Sequence, residues 1–161
     1  MSTPVLNAID LRRVYGRFAT GVTLVAAQID GRPVGMLTNS FSSISLDPPL
    51  VALSFARTST TWPQLHLAPH WGISVLGQHH SDDMTRLSRP SADRFDGLDW
   101  TANDDGAIFL DRAVATLHVH MHAEFDAGDH VLTLLRVADA HVHATEDPLI
   151  FYASGRRRLA E

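Results

Sequence analysis

Cysteine is absent from all 161 residues, which excludes disulfides, thiolate catalysis and cysteine-ligated zinc and is compatible with a reducing interior. Excess positive charge is missing too: 13 Lys and Arg stand against 18 Asp and Glu, a formal net charge of -5 with a sequence pI near 6.0. A general polyanion binder needs a concentrated basic surface, so nucleic acid is not the expected partner. No run approaches the roughly 20 apolar residues that cross a bilayer as a helix. The opening "MSTPVLNAIDLRRVYGRF" lacks the continuous apolar core of a secretory signal. The expectation is a soluble, cytoplasmic protein with no membrane partner. Repeats, low-complexity tracts and linkers are also lacking, and 45% hydrophobic with 19% charged residues suits one globular domain over residues 1–161.

What is present reads mainly as β-structure. Leu11, Val14, Tyr15 and Phe18 recur at helical spacing with Arg12, Arg13 and Arg17 between them, which predicts a short amphipathic helix over 7–19, capped by Asn7 and ended near Gly21. "GVTLVAAQIDGRPVGMLT" then places two β-rich runs around "DGRP", a hairpin signal. "LVALSFA" (50–56) and "WGISVLG" (71–77) are apolar runs of strand length, and 113–125, 130–144 and "PLIFYAS" are further strand candidates. "STTWPQLHLA" and "SDDMTRLS" read as short helices opened by hydroxyl or carboxylate caps. Because βαβ alternation is missing, an antiparallel sheet or barrel with a few small helices is expected. The polar stretch "RPSADRFDGLDWTANDDGA" (89–107) is the natural place for a lid.

Several segments carry candidate chemistry. In "ATLHVHMHAEFDAGDH" (115–130), His118, His120 and His122 alternate with apolar residues, so a regular strand would line all three imidazoles on one side. His141 and His143 repeat the spacing. Two imidazoles at i and i+2 can hold a divalent ion, but a wet strand face or an interface gives the same pattern. No carboxylate sits at obvious ligand spacing between them, so no metal is expected. His130 stands apart after Gly128 and Asp129; a neighbouring carboxylate can fix its tautomer for proton donation or anion contact, although a polar turn is the plainer reading. "GMLTNSFSSISLDPPL" (35–50) crowds short hydroxyl and amide donors around Phe41, enough to line a flat pocket for a ligand rich in acceptors. "ARTSTTWPQL" (56–65) brings an arginine and four hydroxyls to a helix start, which suits an anion or serves as a simple cap. No Walker-type or GxGxxG pattern accompanies it.

In this order, "RRVYGRFATGVTLVAA", "PVGMLTNSFSSISLDPPLVALSFARTSTTWPQL", "WGISVLG", "RPSADRFDGLDW", "AGDHVLTLLRV" and "PLIFYASGRRRL" resemble the flavin reductase family, the small reductase components of two-component flavin-dependent monooxygenases. The resemblance spans nearly the whole chain. It implies an antiparallel split β-barrel of the FMN-binding type, a homodimer, and an NAD(P)H-dependent flavin reductase that passes a hydride from NADH or NADPH to FMN or FAD. Reduced flavin would then leave for a separate monooxygenase. A flavoprotein that holds its flavin tightly with little NAD(P)H turnover, and a histidine-rich metal-binding module, are the alternatives.

The same resemblance implies flavin-ring contacts at Thr38, Asn39, Ser40, Phe41 and Ser42, helped by Ser54, Phe55 and Ala56 through backbone or side chain. It places the flavin phosphate against Ser59, Thr60 and Thr61, flanked by Arg57 and Trp62. Gly128, Asp129 and His130 match the family's Gly-Asp-His motif beside the nicotinamide, with Asp129 and His130 as the catalytic pair. Phe95, Tyr152 and Arg156 would complete that pocket, and the alternating histidines would be scaffold. Ser74, Leu87 and Arg157 depart from the family pattern, where asparagine, an aromatic residue and tyrosine are usual. None of the three lies in the ring-binding stretch, and an additional arginine suits a 2′-phosphate.

Overall fold

The computed structural model describes residues 7–143 and 146–159. Helix α1 (Ala8–Tyr15) begins where its cap predicts, with Asn7 Oδ1 accepting the Asp10 N–H at 2.9 Å. It stops at Gly16, well short of Gly21, because the chain must already extend into β1 (Thr20–Gly21). The helix buries none of its residues, and Ile9, Val14, Tyr15 and Phe18 are 65% to 78% exposed. Of its expected apolar stripe only Leu11 is half-buried, and Val14, Tyr15 and Phe18 stay exposed among the described residues.

Strands β2 (Thr23–Ile29) and β3 (Arg32–Thr38) form the predicted hairpin, turning at Asp30 and Gly31, both with positive φ. The hydroxyl-rich stretch is more than a loop: β4 (Ser42–Leu46) turns back at Asp47 and Pro48 to pair with β5 (Pro49–Ala56). Next come α2 (Trp62–Leu65), β6 (His70–Val75) and α3 (Asp83–Leu87). The polar stretch holds a 3-10 turn (Ser91–Asp93) and β7 (Trp100–Ala102), paired with β8 (Ile108–Leu110). Two 13-residue strands, β9 (Ala115–Ala127) and β10 (His130–Val142), make the longest hairpin, before β11 (Ile150–Tyr152) and β12 (Gly155–Arg157). The expected strand to 144 ends at Val142, and Ala144 lies outside the described residues.

The main sheet has seven antiparallel strands in the order β3-β2-β6-β9-β10-β5-β4, beside smaller sheets β1-β11-β12 and β7-β8. One core cluster gathers Val25, Leu53, Phe55, Trp71, Val119 and Leu135, and α2 contributes Trp62 and Leu65 to it. Phe55 and Trp62 stack at 4.2 Å, and the buried Trp71 indole donates to Leu65 O at 2.9 Å. The register of β10 on β5 is pinned inside by Thr133, whose buried hydroxyl donates to Leu53 O at 2.9 Å.

Strand β2 is buried on both faces, so a second layer must cover Leu24 and Ala26; a cluster with Leu76, Leu87, Phe95, Ile108 and Leu149 does so. The β7-β8 hairpin belongs to this layer, held by Gln28 N–H donating to Gly106 O at 2.7 Å and by Leu110 N–H donating to the buried Ser74 hydroxyl at 2.9 Å. The polar stretch is thus packed in place through Phe95 and β7 instead of forming a free lid. Buried His80 ties the preceding turn to this layer, accepting the Gly77 N–H at Nδ1 and donating from Nε2 to Asp111 O. Burial holds its pKa below the usual histidine value.

Gly72 makes the layering possible, since a Cβ there would sit 2.0 Å from Ile108 O. Backbone cannot rotate aside as a side chain can. Gly72→Ala is expected to lower unfolding free energy by about 3 kcal/mol or more, the upper range for overpacking. Urea denaturation checks this, and an unmoved midpoint would contradict the contact.

Candidate active site

The chain crosses from β3 to β4 through a ladder of hydroxyls. Thr38 Oγ1 and Ser40 Oγ are 2.7 Å apart, the Ser40 N–H donates to Thr38 Oγ1 at 3.1 Å, and Ser40 Oγ accepts the Ser54 N–H at 3.0 Å and reaches Ser54 O at 3.2 Å. Ser, Thr and Asn hold such turns because short side chains bond to nearby backbone. The ladder fixes 38–42 against the end of β5, leaving Asn39 and Ser42 exposed, Thr38, Ser40 and Ser54 half-buried, and Phe41 packed on the first core cluster. After Ala56 the chain turns through Ser59, whose Oγ accepts the N–H groups of Thr61 at 3.3 Å and Trp62 at 3.0 Å. The hydroxyl-rich helix start is therefore already capped from within, and Thr58 and Thr60 are its exposed hydroxyl residues.

Register brings the Gly-Asp-His turn to the same strand end. His130 pairs with Ala56 and the Arg57 N–H donates to Asp129 O at 2.9 Å. Gly128, at φ +65°, opens the turn. His130 Nδ1 donates to Asp129 Oδ1 at 2.7 Å, and no bond to Nε2 is seen among the described residues. This bond, followed by the imidazole's charge, holds the Asp129 carboxyl below the usual carboxylate range.

Some expected side-chain contacts are corrected. Phe55, Thr61, Trp62 and Phe95 are only 1%, 2%, 8% and 6% exposed: the Phe55 and Trp62 rings stack in the core, and Phe95 packs edge-on to Trp100 in the second layer. Phe55 can offer a ligand only its backbone, and the Phe95 side chain is buried in the second core cluster. The Arg57 guanidinium is bonded to Gly128 O at 3.1 Å and paired with Asp126. Arg156 bonds to Ser81, and the Tyr152 hydroxyl accepts from Arg17 at 3.4 Å. Met84 and Phe151 join a groove of about 210 Å³ at Thr38 and Asn39 to a second groove that reaches Arg156.

A residue missed by sequence reasoning is Arg94, whose guanidinium donates to Thr61 Oγ1 at 3.0 Å, to Gly35 O at 2.6 Å and to Arg89 O at 2.9 Å. It braces the hydroxyl turn from the second layer, and burial lowers its pKa. The departures from the family pattern also find places: Ser74 anchors β8, Leu87 is buried in the second cluster, and Arg157 bonds to Arg156 O. The histidine row is broken, because β9 carries a bulge between Met121 and Ala123 that leaves His122 unpaired and exposed. His118 and His120 flank His70 of β6, with ring centroids 4.9 and 5.7 Å away.

The antiparallel main sheet thus carries a hydroxyl ladder and an Asp-His turn at one strand end. The model of the flavin reductase like domain matches residues 15–160, and the chain belongs to that family. It is 39% identical to the FMN reductase (NADH) SmoA of Agrobacterium fabrum over 90% of this chain and 82% of SmoA. It is 34% identical to HsaB of Rhodococcus jostii, the reductase subunit of a flavin-dependent monooxygenase, over 91% of this chain and 76% of HsaB. The chain spans only 60% of the length of another reductase subunit that it matches. The solved NADH:FAD oxidoreductase SgcE6 of Streptomyces globisporus C-1027, in complex with NAD and FAD fragments, superposes with a TM-score of 0.90 at 33% identity, covering 99% of this chain and 96% of that one. The mainly antiparallel β fold is thus the split barrel of flavin reductases. Among the described residues no helix is long and apolar enough to cross a membrane.

The lowered pKa of Asp129 has a definite sign. The native state favours the carboxylate, so the stabilisation from the pair is present above the unfolded-state pKa and is lost as pH falls through the lower native value. In an NMR titration, the Asp129 side-chain carboxyl is expected to titrate below the usual aspartate range. In His130→Ala it should return upward, and an identical midpoint in both proteins would contradict the pair.

Proposed function

We propose that the chain takes NADH or NADPH as hydride donor, reduces FMN or FAD, and releases reduced flavin to a separate flavin-dependent monooxygenase. The observation that carries this reading is the register placing His130 beside Ala56, so that the hydroxyl ladder and the Asp129-His130 pair share one strand end. The donors of 38–42 and Ser54 suit the acceptor-rich edge of the flavin ring, and Ser59 and Thr60 suit its phosphate. Arg94 keeps that turn in shape through Thr61.

Bound flavin supplies the hydride acceptor at N5 and nicotinamide the donor at C4. The chain's work is orientation, exclusion of water and placement of a proton. Asp129 holds the His130 Nδ1–H, which leaves Nε2 to contact the nicotinamide nucleotide or carry a proton. Tyr152 and Arg156 would close the nicotinamide side across the Phe151 groove.

The groove at Thr38 is shallow, and the apolar side chains of Ile9, Val14, Tyr15 and Phe18 lie bare. Both features support a homodimer in which a second copy covers that face and deepens the cradle, and sedimentation velocity measures the assembly; the proposed place of work is the cytoplasm.

Steady-state oxidation of NADH and of NADPH, without flavin and with FMN or FAD added, tests the reading. Turnover that requires added flavin is expected. Yellow protein without turnover would indicate tightly held flavin with another electron donor, and colourless, inactive protein would refute the proposal. His130→Ala should lower kcat/KM for the nicotinamide nucleotide by about tenfold or more, with flavin affinity retained. Ser59→Ala combined with Thr60→Ala should weaken FMN more than riboflavin, which has no phosphate; equal losses would count against the phosphate assignment.

A further inference from the structure

Outside the cradle, three elements bring three lone-pair atoms to one point. His70 Nδ1 at the start of β6 and His118 Nε2 on the adjacent β9 are 3.0 Å apart. Asp105, in the turn between β7 and β8, places Oδ2 3.5 Å from the same Nε2, and all three atoms lie within 4.8 Å of one another. The carboxylate that spacing along β9 does not supply arrives through the second layer.

One proton shared by His118 Nε2 and His70 Nδ1 serves that pair and leaves the Asp105 carboxylate outside it. His118 Nε2 carries at most one hydrogen. With that hydrogen in place, the His70 nitrogen and the Asp105 carboxylate compete for it; without it, a nitrogen lone pair faces a carboxylate. A cation at the centre accepts all three. Tetrahedral zinc, with bonds of about 2.0–2.2 Å to nitrogen and oxygen, sets its ligands about 3.3 Å apart, close to the separations at His118. Two imidazoles and one carboxylate favour zinc and its first-row neighbours over magnesium or calcium, which prefer oxygen alone.

The arrangement is held before any ion arrives. Asn103 Oδ1 accepts the N–H groups of Asp105 at 3.1 Å and Ala107 at 2.9 Å, and Gln28 N–H holds Gly106 O. The close pass of Ile108 over Gly72 seats the hairpin above β6. The His118 side chain is 14% exposed and that of Asp105 53%, so the point is walled by protein yet reachable from solvent.

We propose that His70, His118 and Asp105 bind one divalent first-row transition ion of the zinc type, which fastens the β7-β8 turn to β6 and β9. The inference is independent of the flavin reading.

The test uses the full chain, untagged, stripped with chelator and exchanged into chelator-free buffer. Zinc is titrated by calorimetry and cobalt(II) by visible absorption. One ion per chain is expected, with the strong cobalt absorption of a tetrahedral site and a raised melting temperature, since a ligand of the native state stabilises it. His118→Ala and Asp105→Asn should each weaken binding by at least about tenfold, as loss of even a supporting partner of a ligand does. Asp105 sits in an exposed turn, so its variant tests the site even if His118→Ala does not fold. His141→Ala combined with His143→Ala, which line one groove with His118 but are not among the three proposed ligands, should bind as the unaltered chain does. No uptake at a hundredfold excess of metal, or binding lost in the groove variant and kept in Asp105→Asn, would overturn the site.

Discussion

The geometry at the strand end depends on a hydrogen bond deep in the barrel. Thr133 is fully buried, and its hydroxyl holds Leu53 O at the centre of a seven-residue register between β10 and β5. Strand side chains alternate, so a slip by one residue would turn Leu135 and Thr133 together out of the core and break the bond to Leu53 O. With the register fixed, His130 must meet Ala56 and the turn before it must meet Arg57. Arg57 completes the clasp from outside, bonding Asp129 O through its backbone and Gly128 O through its side chain. The placement of the Asp-His pair beside the hydroxyl turn is therefore a consequence of core packing.

A second constraint follows from apolar composition. Strand β2 has Val25 and Ala27 on one face and Leu24 and Ala26 on the other, all fully buried, so a single barrel wall would leave one face wet. The segment from Leu87 to Leu110 supplies the cover, and Gly72 lets its backbone approach closely enough to seal. The same segment does two further things. Arg94 reaches through it to brace Thr61, and Asp105 is carried over His70 and His118. A layer required by burial thereby shapes both groups of polar residues.

Much of this was legible because it is local. Asn7 caps by reaching three residues on, Asp30-Gly31 turns a two-residue hairpin, and alternation marks β9 and β10. The order of motifs pointed to the family, which the match over residues 15–160 shows. What stayed hidden depends on distance along the chain or on one extra residue. Arg94 acts on Gly35 and Thr61, 59 and 33 positions away, and nothing in "SADRF" signals either partner. Strands β7 and β8 are three residues each, too short for a period to show, so their segment read as a lid. The bulge that removes His122 from the row leaves no composition signal.

The cradle's chemistry suits a ligand that comes and goes. Its donors are mostly neutral hydroxyls and backbone groups, each worth only about 0.5–1.5 kcal/mol net because water competes equally well. Of the arginines at the hydroxyl turn, Arg57 pairs with Asp126, and Arg94 bonds to the protein's own backbone and Thr61. A net charge of -5 adds mild repulsion toward an anionic nucleotide. On the proposed reading, orientation within the cradle serves hydride transfer, while this weak electrostatic hold lets reduced flavin depart for its acceptor. A carrier that kept its flavin would be expected to turn such arginines toward the phosphate. Here the side chain of Arg57, next to the hydroxyl turn, points to Gly128 and Asp126 instead.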